Sequence, residues 1–181
     1  MFIAQKLKQE SIAEYLLYMW QIEDIIRACR LDIDIISEKI IAPQQISVEE
    51  KKVLTEWYEN LIEMMKLEQV GEKGHLQLNR NTIDQLNELH NNLLRSGKEP
   101  AYSAKFYHVL PFIAQLKQQQ PDTDISDVEI CFNFLYGILL LRMKKTEISA
   151  ETRQAQEEIS KLLTLLAKND NLCKLGKLEF D

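Results

Sequence analysis

Apolar residues recur along most of this chain at intervals of three and four, the period of a helix with one buried stripe. Between residues 149 and 168 the stripe is Ala155, Ile159, Leu162, Leu163 and Leu166, narrow enough to place that helix on the outside of a bundle. Between 47 and 68 it is Leu54, Trp57, Tyr58, Leu61 and Met65. Two segments depart from the stripe. Tyr15, Leu16, Leu17, Tyr18, Met19, Trp20, Ile22, Ile25 and Ile26, and likewise Phe132, Phe134, Leu135 and Ile138 to Leu141, are apolar nearly all round. A helix of that kind is either central or meets a second chain with its far face.

Capping boxes mark three starts, at Ser11–Glu14, Ser47–Glu50 and Ser126–Glu129, the last with Ile125 and Ile130 placed as a hydrophobic staple. Stops are marked by Pro43, by Gly71 and Gly74, by Gly97 with Pro100, and by Pro121. The pattern predicts helices over about 11–30, 32–41, 47–68, 81–96, 102–119, 126–145 and 149–168. The short loops make sequential helices antiparallel neighbours. The expected fold is all-α: a single-domain up-down bundle of about six or seven helices, with 1–10 as a lead-in and 169–181 as a frayed tail. Two stretches, 31–35 and 75–79, alternate with period two and could pair as short strands. Two isolated strands are marginal, so a helical or extended-loop reading is preferred.

Composition narrows the function classes. Only five Gly and four Pro occur in 181 residues, where about 13 and 9 are usual. A sandwich or small barrel would need far more turn residues. Neither a dinucleotide fingerprint nor a phosphate loop is present. The net charge is −6, and residues 1–90 carry 16 acidic against 10 basic side chains. That balance repels a phosphate backbone, so no nucleic-acid partner is expected. The longest nearly unbroken apolar run, Cys131 to Leu141, has 11 residues; a membrane span needs about 20. The beginning of the sequence lacks the apolar core of a signal peptide. Cys29, Cys131 and Cys173 are odd in number and never spaced as C-x-x-C, which suits a reducing cytoplasm.

Candidate chemistry is sparse. Glu56, Glu59 and Glu63 form an acidic ridge, but no Glu-x-x-Asp on a second helix completes a magnesium site, and Lys52 and Lys66 offset the charge. The single Glu-x-x-His, Glu72 to His75, crosses two glycines and cannot serve a di-iron bundle. His75, His90 and His108 could in principle form a three-histidine site, but His90 lies on an apolar face with Leu86, Leu93 and Leu94. No nucleophile elbow occurs, and neither Cys29 nor Cys131 has a neighbouring histidine.

Three places break the helical rules instead. Glu23 and Arg27 pair at i,i+4 on a helix that looks central, with Asp24 beside them and Trp20 one turn earlier. Asn133 is polar among Phe132, Phe134 and Leu135, and Gly137 sits in a helix interior at a cost of about 1 kcal/mol relative to Ala, with Tyr136 next to it. That glycine marks either a close helix crossing or a ligand lying over the backbone. Pro111 interrupts a helix just after Tyr107 and His108, where it should kink or split it.

The segments Ile12–Asp24 (IAEYLLYMWQIED), Trp57–Met65 (WYENLIEMM), Gly74–Asn79 (GHLQLN), Tyr102–Ile113 (YSAKFYHVLPFI) and Cys131–Arg142 (CFNFLYGILLLR) resemble an uncharacterised family of small all-helical bacterial proteins, a domain of unknown function. The resemblance implies a bacterial cytoplasmic protein and carries over no catalytic residue. The expected function is non-enzymatic, through contact with another protein or self-association. The alternative is a small-molecule-binding bundle, its ligand between the helices at 11–30, 102–119 and 126–145. Trp20, Asp24, Arg27, Tyr107, His108, Asn133, Tyr136 and Gly137 are its candidate lining. A metal-dependent enzyme is a distant third, and no catalytic residue, metal ligand or cofactor is assigned.

Overall fold

A computed structural model describes residues 1–119 and 124–180. Every regular element among them is helical. The helices are α1 (Phe2–Glu10), α2 (Ile12–Ala28), α3 (Ile33–Ile36), α4 (Val48–Leu67), α5 (Gln77–Ser96), α6 (Pro100–Gln118), α7 (Asp127–Met143) and α8 (Ala150–Lys174). A wider π-turn over Ser37–Ile41 continues α3. The count exceeds the expected six or seven because the lead-in itself folds as α1. Pro121, read as the stop of α6, lies outside the described residues.

Local chemistry explains most boundaries. Ser47 and Glu50 form the full capping box at the start of α4, each side chain bonding the other's backbone amide. Ser126 and Ser149 accept from the third amides of α7 and α8. Asp32 does the same for α3, which is why the alternating segment 31–35 coils rather than extends. Several ends need a left-handed residue and find no glycine. Arg30 and Leu31 after α2, Gln69 after α4 and Lys145 after α7 all have φ between 56° and 59°. The amides of Leu31, Val70 and Thr146 each reach back five residues to close the last turn.

Three sequence expectations need correction here. The stop after α4 is Gln69, not Gly71, whose φ is not positive. Nor does the chain leave the helix at 168, since α8 runs on to Lys174. Asn169 is buried, its amide bonded to the Leu165 carbonyl. Gly176 (φ 63°) is the left-handed stop of this helix, the amide of Lys177 bonding the carbonyl of Leu172. Pro111 does not split its helix, since α6 continues through it. The Tyr107 carbonyl loses its usual donor there, but Tyr107 is 64% exposed, so solvent reaches this turn.

The helices group into two compact units, Met1–Glu10 with Glu14–Asn81, and Ser11–Ala13 with Thr82–Asp181. In the first, α4 packs on α3 and the π-turn, and Leu16, Ile26, Ile36 and Met65 are fully enclosed. Each such side chain contributes roughly 1.5–3 kcal/mol. In the second, α6, α7 and α8 pack on one another around Val109, Ile113, Phe132 and Ile159. Lys105 on α6 pairs with Glu158 on α8 at 2.9 Å, and Lys117 on α6 with Asp127 on α7 at 2.5 Å. His90, which is buried, meets the Tyr102 hydroxyl at 2.7 Å and the Phe106 ring edge-on. Burial pushes the imidazole below its usual range and the phenol above its own.

The two helices that are apolar all round resolve differently. On α2, Leu16, Met19, Trp20, Ile22 and Ile26 are all buried. On α7, Val128, Ile130, Cys131, Phe132 and Ile138 are buried, whereas Asn133 to Gly137 are only half-buried. Farther along α7, Leu141 and Met143 stand exposed.

Candidate functional site

The open side of α7 carries a hollow of about 500 Å³. Asn133, Gly137, Ile138 and Leu141 of α7 form one wall, Leu116 and Gln119 another, and Thr152 of α8 a third, with Lys144 at the helix end. A Cβ built on Gly137 would meet nothing within 4 Å. The glycine therefore does not serve a close helix crossing, and it leaves backbone facing open space. No hydrogen bond joins the Asn133 amide to another described residue, so its donor and acceptor remain for whatever enters. A smaller hollow of about 160 Å³ shares Leu116, Gln119, Phe134 and Thr152 and extends past them to Phe112, Glu151 and Ala155. The combined lining is mixed, with Leu116, Ile138, Leu141 and Phe112 beside Asn133, Gln119 and Thr152, which is the usual character of a small-molecule site.

The first unit contains a different arrangement, centred on Glu23 of α2. Its side chain is 1% exposed. One carboxylate oxygen accepts from the backbone amide of Leu76 at 2.9 Å and from the Asn79 side chain at 2.7 Å. The other lies 2.6 Å from Nδ1 of His75. Trp20 stacks on the imidazole, with centroids 4.1 Å apart. Arg27, one turn on, bonds Asp24 at 2.7 Å, the Val70 carbonyl at 3.1 Å and the Gly74 carbonyl. Its guanidinium also lies 4.0 Å from Glu23.

Burying a carboxylate is costly unless it is paired and fully bonded, and here every bond goes to the segment 70–79. The negative charge sits at the start of α5, where a helix N-terminus favours it. This cluster pins the α4–α5 connection to α2. It also explains why α5 begins at Gln77, four residues before the expected 81, and why 75–79 does not form a strand.

The eight residues singled out in the sequence thus fall into two groups. Trp20, Asp24 and Arg27 belong to the first unit and to the Glu23 cluster. Tyr107, His108, Asn133, Tyr136 and Gly137 belong to the second. Of these, Asn133 and Gly137 line the hollow, whereas Tyr107, His108 and Tyr136 do not. His108 meets Glu158 at 3.2 Å, on a carboxyl that Lys105 and Lys161 hold down at about 2. Each histidine therefore has its own partner: Glu23 for His75, Tyr102 for His90 and Glu158 for His108.

Sequence reasoning missed Gln119, Thr152 and Lys144 at the hollow, because nothing in their local pattern distinguishes them from surface residues. It also missed His75 and Asn79 as partners of Glu23. The signal for those two was present in the run GHLQLN, where a histidine and an asparagine flank the start of a helix.

Among the described residues, no group of three or more His, Cys, Asp or Glu side chains is placed to hold a metal ion. No described helix is long and apolar enough to cross a membrane. No curated protein and no solved structure matches the chain. Residues 1–176 match a family described as a domain of unknown function, DUF4924, and the chain belongs to that family.

Proposed function

We propose that this protein binds a small, elongated, mainly apolar molecule with a hydrogen-bonding end, seated against α7 over Gly137. The observation that carries the reading is the open space above that glycine in a hollow of about 500 Å³. A glycine inside a helix is unfavourable unless something uses the bare backbone. The Asn133 amide would meet the polar end, while Leu116, Ile138 and Leu141 bury the apolar body.

Titration calorimetry with decan-1-ol and decanoate tests this. Saturable binding to the native chain is expected, with a loss of about tenfold or more in Gly137→Phe, equivalent to about 1.4 kcal/mol. Absence of binding, or binding that the Phe side chain leaves unchanged, refutes the reading.

Contact with another protein chain is the second reading, and the exposed apolar end of α7 at Leu141 and Met143 supports it. For the setting, the free thiols of Cys29, Cys131 and Cys173 support a reducing bacterial cytoplasm. The excess of acidic side chains argues against nucleic acid as the partner.

A further inference from the structure

The first unit contains a second hollow, of about 330 Å³, lined by α1, α2, α4 and Leu78 of α5. We propose that it is a binding site for a small planar aromatic carboxylate. The hollow is independent of the one on α7, with which it shares no lining residue.

Three observations converge on that chemical class. The size lies near the lower end for small-molecule sites, about 300 Å³, which suits one or two fused rings. The lining includes Tyr15, Trp57, Met19 and Met64. Sulfur and aromatic faces pack well against a flat ring, and methionine adapts to its outline. The lining has two basic groups, the Lys8 ammonium and the Met1 amino group, whose pKa burial lowers to about 6, and no acidic side chain. This is notable because residues 1–90 carry 16 acidic against 10 basic side chains.

Lys8 holds its ammonium over the Tyr15 ring, 5.5 Å from its centre, and no ion pair joins it to another described residue. An anionic group on the ligand would meet that ammonium while its ring lies along Tyr15 and Trp57. A cationic ligand would be repelled by the same group.

The test compares 2-naphthoate with its neutral counterpart 2-naphthamide by calorimetry on the full chain. The native protein should bind the acid saturably and prefer it to the amide by roughly fivefold, the upper range for an exposed ion pair. Lys8→Met should equalise the two. Ala4→Leu, which places a larger side chain in the wall, should abolish binding of both.

Absence of saturable binding overturns the proposal, as does an acid preference that survives Lys8→Met. Ala4 is buried, so the Leu variant is checked for native helicity by circular dichroism. Lys8 is exposed, and its variant decides the matter if the Leu substitution unfolds the chain. Neither residue lines the α7 hollow, so failure here leaves the reading of that hollow standing.

Discussion

Glu23 illustrates how one buried charge organises the chain around it. Its carboxylate reaches Leu76, Asn79 and His75, more than fifty residues away in sequence. Removing the charge leaves those donors, and the Arg27 guanidinium, without their shared acceptor. Glu23→Leu is therefore expected to lower stability by about 3 kcal/mol, the scale for breaking a buried pair from one side, as read from urea unfolding. A loss below about 1 kcal/mol would show that the cluster does not hold the α4–α5 connection.

Glu158 makes a different prediction, because its carboxyl is held down at about 2 by bonds from Lys105 and Lys161. The unfolded chain protonates this group in the ordinary carboxylate range. The stabilisation is therefore complete above about pH 5 and is lost as pH falls toward the depressed value. In Glu158→Gln that contribution is missing at neutral pH, so its melting temperature should converge on the native one below pH 4. A constant gap from pH 7 to pH 3 would contradict the assignment. Cys131, whose thiol burial pushes up to about 12, should resist alkylation in the native state far longer than the half-buried Cys173.

At the scale of elements, helix ends and interiors carry separable costs. Lys145 ends α7 with φ 56°, a conformation that suits glycine and strains other residues. Lys145→Gly should raise stability by about 0.5–1 kcal/mol, the relief of strain outweighing the extra freedom of the unfolded chain. Gly137 presents the opposite case. Its added Cβ meets nothing within 4 Å, so Gly137→Ala should stabilise by about 0.5–1 kcal/mol through helix propensity alone. If thermal unfolding shows destabilisation instead, the space over Gly137 is too small for a Cβ. That result would also weaken the proposed ligand site. The pair of substitutions separates a glycine that a turn would favour from one that helix geometry does not need.

For the whole molecule, the decisive feature is the far face of α7. Leu16, Met19, Trp20 and Ile26 on α2 are enclosed, whereas Met143 at the end of α7 is 69% exposed and Leu141 is exposed beside the hollow. If α7 docks on a second copy, the mass from light scattering should rise with concentration and fall back in Leu141→Glu. A constant monomer mass at high concentration would remove self-association and leave the ligand reading of the same face. Residues 91–181, which contain α7, carry 12 acidic and 12 basic side chains, so an apolar contact through this face should respond little to added salt.

The sequence by itself determined the helical class, most helix positions and several caps, because periodicity, serine caps and turn residues act within a few positions of one another. It also singled out Gly137 and Asn133, since each violates a local rule. Helix ends without glycine, the length of α8 and the early start of α5 were not legible. They depend on left-handed Gln69 and Lys145, on the burial of Asn169 and on a glutamate more than fifty residues before the segment it caps. Only the tertiary structure decided which of the two wholly apolar helices is enclosed and which lies open. Both are apolar nearly all round, and what differs is how much of each surface other helices reach. Packing across distant segments decides that, and no local pattern encodes it.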